Sequence, residues 1–508
     1  MYFTENSTLD FFIIILGPLC GLIINLLFFK KDPVTGARVA SCGVWIGFMS
    51  SFFAWFTHTP YNNKLESWGF LANETAWVMA TLILLVSAVV HHFSLRYMAG
   101  DRHYRRYFIL LNLITLTVLL MVAADHILIL ISFWLLSNLL LVLLMIHKVQ
   151  WEAARQSGLL ALKTFLLGFL FLCVGLELLA YGTQTLSLQG ISENSENLSS
   201  PFRVFALLCI MIAALTQSGV WPFHAWVISS LNSPTPVSAF MHAGLVNGGG
   251  LLLVRLANIF LLESALMDIL FVIALITLFL GGIWKLLQSD IKRMLACSTM
   301  TQMGFMMMQC ALGLFPAALT HLCWHGLFKA YLFLRSGSTL VEHRASDEEK
   351  LSSVSTFFIA SLCGLIGAIG FMIGGHFSLN LVDTTLVLIF FSWIAFTQVA
   401  QTLLEKKSSL LIFFTTTLVC FTFGIIYGLT IYMIENVLAP LHISEPQSLH
   451  FIHLVGVSLV FIIWILLNLK PLQVSRDSMW WRRFYVHMLN ASQPDVRTLT
   501  SRRDGYKF

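Results

Sequence analysis

Titratable side chains recur at every fourth residue in the stretch His321-Leu-Cys-Trp-His325-Gly-Leu-Phe-Lys329. In a helix that spacing places His321, His325 and Lys329 on one slowly drifting face, spread over about 12 Å of length. Imidazoles take and release protons near neutral pH, and a lysine removed from water titrates far below its ordinary range. Such groups one turn apart suit a water-bridged proton relay. The plainer reading is a polar helix face hydrogen-bonded to its neighbours. The His-x3-His spacing does not by itself indicate a metal, because no carboxylate accompanies it as in a zincin.

A second focus is LTQSGVWPFHAWVISSLNSPTPVSAFMHAGLVNGGG, residues 215–250. Pro222 follows Gln217-Ser218-Gly219 and removes a helix donor, so a break is expected there. Ser233-Pro234-Thr235-Pro236 is expected to cap the next helix, which carries His242, Asn247 and three consecutive glycines. His242 reads either as a member of the relay or as a satisfied core histidine. Asp290-Ile-Lys292-Arg293 reads as a helix start, with Asp290 favouring the N-terminal dipole. Lys292 is then either a relay residue or an anchor at the inner leaflet. Gln217, Lys163 and Glu177 are further candidates for an ion pathway; Lys163 and Glu177 share one apolar stretch but stand about 21 Å apart at helical rise, so they do not pair. Lys163 fits both a pathway role and a side chain snorkelling to the interface.

The elements that must hold these residues are membrane helices. Of 508 residues, 57% are apolar and only 11% charged, against about 25% charged in ordinary soluble domains. Long uninterrupted apolar runs favour helices over a barrel, which alternates polar and apolar positions. A secreted enzyme, a cytosolic metabolic enzyme and a disordered hub are all excluded. The nine cysteines form no Cys-x2-Cys pair, so neither a disulfide framework nor a zinc knuckle is supported. Windows near the membrane-spanning length fall at 10–29, 39–56, 76–94, 107–124, 127–146, 158–180, 203–231, 236–258, 264–284, 294–314, 317–334, 353–374, 384–404, 409–437 and 450–469. The expected fold is an all-α integral membrane bundle of about fifteen spans over residues 1–470, followed by a basic, amphipathic tail over 471–508. The first window lacks a basic leader and a small-residue cleavage site, and is read as a retained helix.

Placing the N-terminus outside puts 25 of the 30 basic residues on the inner side. These are Lys30, Lys31, Arg38, Arg96, Arg102, Arg105, Arg106, Lys148, Arg155, Lys285, Lys292, Arg293, Arg335, Arg344, Lys350, Lys406 and Lys407, with eight more in the tail from Lys470 to Lys507. Lys64, Arg203 and Arg255 fall outside, while Lys163 and Lys329 lie within spans. A misplaced span would have spoiled this bias, so the expected topology is N-terminus out and C-terminus in the cytoplasm. The tail stretch SRDSMWWRRFYVHMLN fits an interfacial helix and also a docking surface for a soluble partner.

SPTPVSAFMHAG, DIKRMLACSTMTQMGF and HLCWHGLFKAYLFLRSGS resemble the core of the antiporter-like subunits of respiratory complex I, particularly its large subunit 5, and of multisubunit cation/proton antiporters. The resemblance covers roughly residues 90–340. It implies inverted five-helix repeats with broken helices and a chain of titratable groups along a hydrated axis, with His242, Lys292, His321, His325 and Lys329 in the relay positions. Two departures stand out. Respiratory members carry Trp-Glu in the fifth span, where Trp134 is followed by Leu135; they carry Lys before the proline break, where this chain has Gln217. The second-half stretch GAIGFMIGGHFSLNLVD also lacks the usual lysine-bearing segment.

The wording AALTQSGVWPFHAWVISSLNSPTPVSAFMHAGLVNGGG, QMGFMMMQCALGLF and FYVHMLN more closely resembles the DabB membrane subunits of bacterial inorganic carbon pumps. That resemblance implies a location in the bacterial inner membrane. It also implies a DabA-like partner on the cytoplasmic face, similar to a zinc-dependent β-type carbonic anhydrase. A cation, taken as H+, would run through this subunit and drive CO2 hydration to bicarbonate in the partner. On this reading the chain is a transporter subunit with no cofactor of its own, and zinc belongs to the partner. The alternatives are a proton/sodium antiporter or NADH dehydrogenase-type membrane subunit, and a passive scaffold that anchors a soluble enzyme.

Overall fold

The computed structural model describes residues 7–57, 69–337, 354–380, 382–405, 410–443, 446–468 and 478–499. Of the basic positions that orient the spans, Lys64, Arg344, Lys350, Lys406, Lys407, Lys470, Arg476, Arg502, Arg503 and Lys507 lie outside the described residues. The chain opens with α1 (Ser7–Phe28), α2 (Pro33–Thr57), α3 (Glu74–Tyr97) and α4 (Tyr104–Ala123). α5 (Ile127–Met145), the long α6 (Glu152–Thr183), a short α7 (Leu188–Asn194) and α8 (Ser200–Gln217) follow. The next stretch is fragmented into α9 (Ala225–Ile228), α10 (Thr235–Ala243), α11 (Gly248–Arg255) and α12 (Ala257–Leu261). Long helices then return as α13 (Ser264–Leu287), α14 (Ile291–Ala311) and α15 (Phe315–Arg335). α16 (Val354–Gly375), α17 (Thr385–Leu404), α18 (Leu410–Leu438), α19 (Phe451–Asn468) and the tail helix α20 (Met479–Ala491) complete the order.

Eleven stretches are long and apolar enough to cross a membrane, α10 and α11 counting as one interrupted span. α1 and α19 supply shorter apolar stretches. α14 and α15 are 21 residues each but too polar for a hydropathy criterion, because they carry Lys292, His321, His325 and Lys329. All fifteen expected span positions are therefore helical among the described residues.

The first break differs from the expectation that Pro222 makes it. α8 already ends at Gln217, and Gly219 takes a left-handed φ of +60°. Val220 N–H donates to Leu215 O at 3.1 Å and Gly219 N–H to Thr216 O at 3.4 Å, the paired bonds of a glycine-terminated helix end. A side chain at 219 would also collide with Val227, whose Cγ2 lies 2.2 Å from the Cβ position. The Ser-Pro-Thr-Pro turn departs from expectation as well. No side chain of the turn caps α10. The Tyr97 hydroxyl, from α3, instead accepts from Thr235 N–H at 3.4 Å and donates to Thr235 Oγ1 at 3.1 Å. Asp290 behaves as expected, capping α14 by accepting from Arg293 N–H at 2.9 Å. The tail does form a helix, begun by Ser478, whose Oγ accepts from Trp481 N–H at 3.2 Å.

Without a hydrophobic drive between helices in lipid, small residues let backbones approach closely. α16 and α18 use this: a Cβ at Gly424 would lie 2.1 Å from Gly367 O, and one at Gly428 2.3 Å from Phe371 O. In contrast, a Cβ at Gly282 on α13 meets nothing within 4 Å. Gly424→Val is expected to lower stability by about 1–3 kcal/mol through overpacking. Gly282→Ala is expected to be neutral or stabilising by up to about 1 kcal/mol. Thermal unfolding of the purified chain in detergent measures both; equal effects would contradict the glycine contact.

Candidate functional site

The two interrupted spans meet. Gln217 Nε2 donates to Leu245 O at 3.2 Å and Ser218 Oγ donates to Val246 O at 2.7 Å. Both acceptors lie in the gap between α10 and α11, where Gly244 ends the first helix. Asn247 Nδ2 donates back to Ala243 O at 2.8 Å. On the other break, Trp226 Nε1 donates to Thr216 O at 3.0 Å, and Trp221 N–H to Thr277 Oγ1 at 3.2 Å. Backbone groups freed by the interruptions are thus taken up by side chains from the opposing break and from neighbouring helices, as a low-dielectric interior requires.

Gln217 makes a second contact that the sequence did not reveal. Asn138 Nδ2 donates to its Oε1 at 3.0 Å, and its Nε2 donates to Asn138 Oδ1 at 3.1 Å. Both residues are buried. Asn138 stands one helical turn beyond Leu135 on α5, so a reciprocal pair of neutral amides occupies the neighbourhood where respiratory relatives are expected to hold a glutamate and a lysine. The visible signal was Asn138 itself, a polar residue inside an apolar span.

His242 lies at the end of α10 just before the gap, 1% exposed. Its ring stacks on Phe333 of α15, with centroids 4.4 Å apart and planes 7° from parallel. α10 and α15 touch closely, since a Cβ at Gly326 would be 2.6 Å from Ala243 O. That contact brings His242 beside the titratable face of α15. Lys329 is 1% exposed and donates to Leu295 O on α14 at 3.2 Å. One turn earlier, both ring nitrogens of His325 are buried without a protein hydrogen bond, as is Nδ1 of His242. His325 in turn lies nearly parallel to His321, centroids 5.9 Å apart. A cavity of about 460 Å³ opens along this face, with His321, His325 and Lys329 on one side and Phe391, Ser392 and Tyr427 on the other.

Lys292 joins from the N-terminal turn of α14, donating to Ser233 O at 3.3 Å. It is three residues from Leu295, so one helix face links the turn before α10 to Lys329. Lys163 and Glu177 are not brought to this line: both are exposed on α6, away from the face that buries Ala161, Phe165 and Leu172. The structure therefore brings His242, Lys292, His321, His325 and Lys329 together, seats Gln217 at the junction of the two breaks, and leaves the other two outside. Each of these histidines and lysines is a group that can take up or release a proton. The arrangement offers no carboxylate to neutralise Lys329, for none is paired with it among the described residues.

Comparison with known proteins agrees with this architecture. Residues 123–372 match the family described as NADH:quinone oxidoreductase/Mrp antiporter, transmembrane region. Residues 61–108 match the NADH-ubiquinone oxidoreductase (complex I) chain 5 N-terminus. The probable inorganic carbon transporter subunit DabB1 of Halothiobacillus neapolitanus is 32% identical over 415 residues, 78% of this chain and 73% of that protein. The probable inorganic carbon transporter subunit DabB of Bacillus subtilis is 38% identical over 276 residues, 54% of each chain. The solved Mrp complex of Dietzia sp. DQ12-45-1b superposes with a TM-score of 0.65 at 20% identity, covering 94% of this chain and 59% of that one, a likeness of fold. This all-helical, multi-pass membrane protein belongs to the DabB family of inorganic carbon transporter subunits, within the wider group of complex I chain 5 and Mrp antiporter-like membrane proteins.

Proposed function

We propose that this chain is the proton-conducting subunit of an energy-coupled inorganic carbon pump. Protons moving inward through it drive CO2 hydration in a DabA-like zinc-binding partner on the cytoplasmic face. The observation that carries the reading is the buried group His242, His325 and Lys329. Ionisable side chains at membrane depth cost a few kcal/mol each on insertion scales, and buried ring nitrogens without protein partners call for an explanation. A water-bridged relay supplies one. The order Lys292, Lys329, His325, His321, with His242 beside Lys329 and His325, gives protons adjacent stations over several turns of helix. The bias of basic residues to one side supports an N-terminus outside and a tail in the cytoplasm, where α20 offers a docking surface for the partner. Coupling then requires that a protonation change on this line be felt differently by two states of the complex.

The second reading, a proton/sodium antiporter or dehydrogenase membrane subunit, draws support from the Mrp-like fold. The neutral Gln217–Asn138 pair weighs against it, since it replaces the charged pair expected of respiratory members. Co-purification from membranes followed by metal analysis separates the two. A large zinc-containing partner supports the carbon pump, and a set of dehydrogenase subunits refutes it.

Lys329→Arg retains positive charge but holds its proton at any physiological pH. It is expected to lower bicarbonate uptake by about 10²-fold, the scale of one proton-transfer group, while the complex still assembles. Uptake preserved in Lys329→Arg, or in His325→Ala, would show that the line serves packing or anchoring alone. A protonophore is expected to abolish bicarbonate accumulation in cells while replacement of external sodium leaves it intact. The reverse result would make sodium the coupling ion.

A further inference from the structure

A constellation of potential metal ligands that shares no residue with the relay lies at the start of the last span. His450 immediately precedes α19 and His453 is its third residue, so both rings fall on one side of the first turn. Opposite them is Asp268, in the first turns of α13. One potential ligand atom from each residue lies within 4.8 Å of the other two. His450 Nδ1 is 2.9 and 3.0 Å from the two Asp268 oxygens, and His453 Nε2 is 3.2 Å from Oδ1. Phe271, one turn along α13, packs its edge on the His453 ring at 4.8 Å and holds it in place.

We propose that Asp268, His450 and His453 bind one divalent ion of the zinc type, fastening the beginning of α19 to α13. Two ligands bound to a tetrahedral ion at about 2.0–2.1 Å stand about 3.3 Å apart; the His450–Asp268 and His453–Asp268 separations of 2.9 and 3.2 Å fall within a few tenths of an ångström of that, and the two ring nitrogens lie within 4.8 Å of each other. Two imidazoles with one carboxylate form a donor set suited to zinc and its first-row neighbours. His453 Nε2 approaches Asp268 closely yet is not aligned with it as a hydrogen bond. Exposure also fits: His453 is 3% exposed while Asp268 and His450 are 28% and 37% exposed, which leaves one side open for a water ligand.

Binding has a defined proton cost. His453 Nδ1 accepts from the His450 amide at 3.2 Å, so in the metal-free ring Nε2 carries the proton. His450 Nδ1 likewise donates to the Asp268 carboxylate. An ion needs the lone pairs of these two nitrogens, so each ring must move its proton to the nitrogen facing away. For His453 that change gives up the contact with the His450 amide. The ion thus exchanges a bond within the first turn of α19 for a bond between helices. α19 is already tied at its other end, where Gln401 Nε2 donates to Asn468 Oδ1 at 2.8 Å and Trp464 packs against Phe357 and Trp393.

The test uses the full chain in detergent, freed of its affinity tag, stripped with chelator and titrated with Zn2+. Co2+ serves as a spectroscopic probe of the coordination shell. One ion per chain is expected, with a rise in melting temperature. Affinity in His450→Gln and in Asp268→Asn, both at partly exposed positions, should drop by about 100-fold or more, with loss of the Co2+ bands. If the wild-type chain binds no stoichiometric zinc, the three residues form an ion-paired clasp only and the proposal is overturned. Binding that is undiminished in both variants overturns it equally.

Discussion

A helix interrupted inside a membrane leaves carbonyls and amides that neither lipid nor water can reach, and this chain interrupts two of them side by side. The first break serves the second. Gln217 and Ser218, at the end of α8, donate to Leu245 and Val246 in the gap between α10 and α11, while the indole of Trp226 covers Thr216 O. Each such group left bare would cost several kcal/mol in hydrocarbon. Because the end of α8 supplies the donors that the gap between α10 and α11 lacks, straightening α8 would strip that gap of its partners. Gly249 extends the same constraint: a Cβ there would lie 2.2 Å from Ala214 O, so α8 and α11 are pressed together just beyond the breaks.

That locked junction sets the position of the titratable line. His242 is the penultimate residue of α10, so its ring height is fixed by where the helix stops. Gly326 then lets α15 come close enough for His242 to stack on Phe333, and α14 closes the third side through Leu295 and Lys329. The polar amides near the breaks are neutral, and the charge-bearing groups are gathered on α14 and α15. Uncharged residues thus perform the backbone repair, while Lys292, Lys329 and the histidines of the line stand without an ion pair among the described residues.

Much of this was legible in the chain. Composition and span length identified the bundle, and the spacing of four placed His321, His325 and Lys329 on one face of α15. Periodicity on a single helix reveals neighbours along that helix only. Tertiary partners were invisible: Asn138 opposite Gln217 is 79 residues away, and Asp268 is 182 residues from His450. Nor could periodicity say whether Lys163 and Glu177 face the line, because a charged residue in an apolar run does not disclose which face of its helix turns inward; both stand on the exposed face of α6, as the snorkelling reading of Lys163 allows. Pro222 attracted attention to the right neighbourhood, but Gly219 ends the helix, since the left-handed turn comes before the missing donor matters. His-x2-His at 450 and 453 carried too little information until its carboxylate arrived from another helix.

Leu295 O is an unusual companion for a buried lysine. It already accepts from Thr299 Oγ1 at 3.0 Å within its own helix, and Lys329 Nζ adds a further donor at 3.2 Å. A carboxylate in that place would hold an ammonium and repel nothing but its loss, making one state of the lysine a deep trap. A peptide dipole accepts a hydrogen bond from an ammonium or from a neutral amine, so the geometry survives either state. The side chain can keep its seat while its charge comes and goes. On the proposed reading the scaffold need not rearrange for every passing proton, and larger motions remain free to report to a partner.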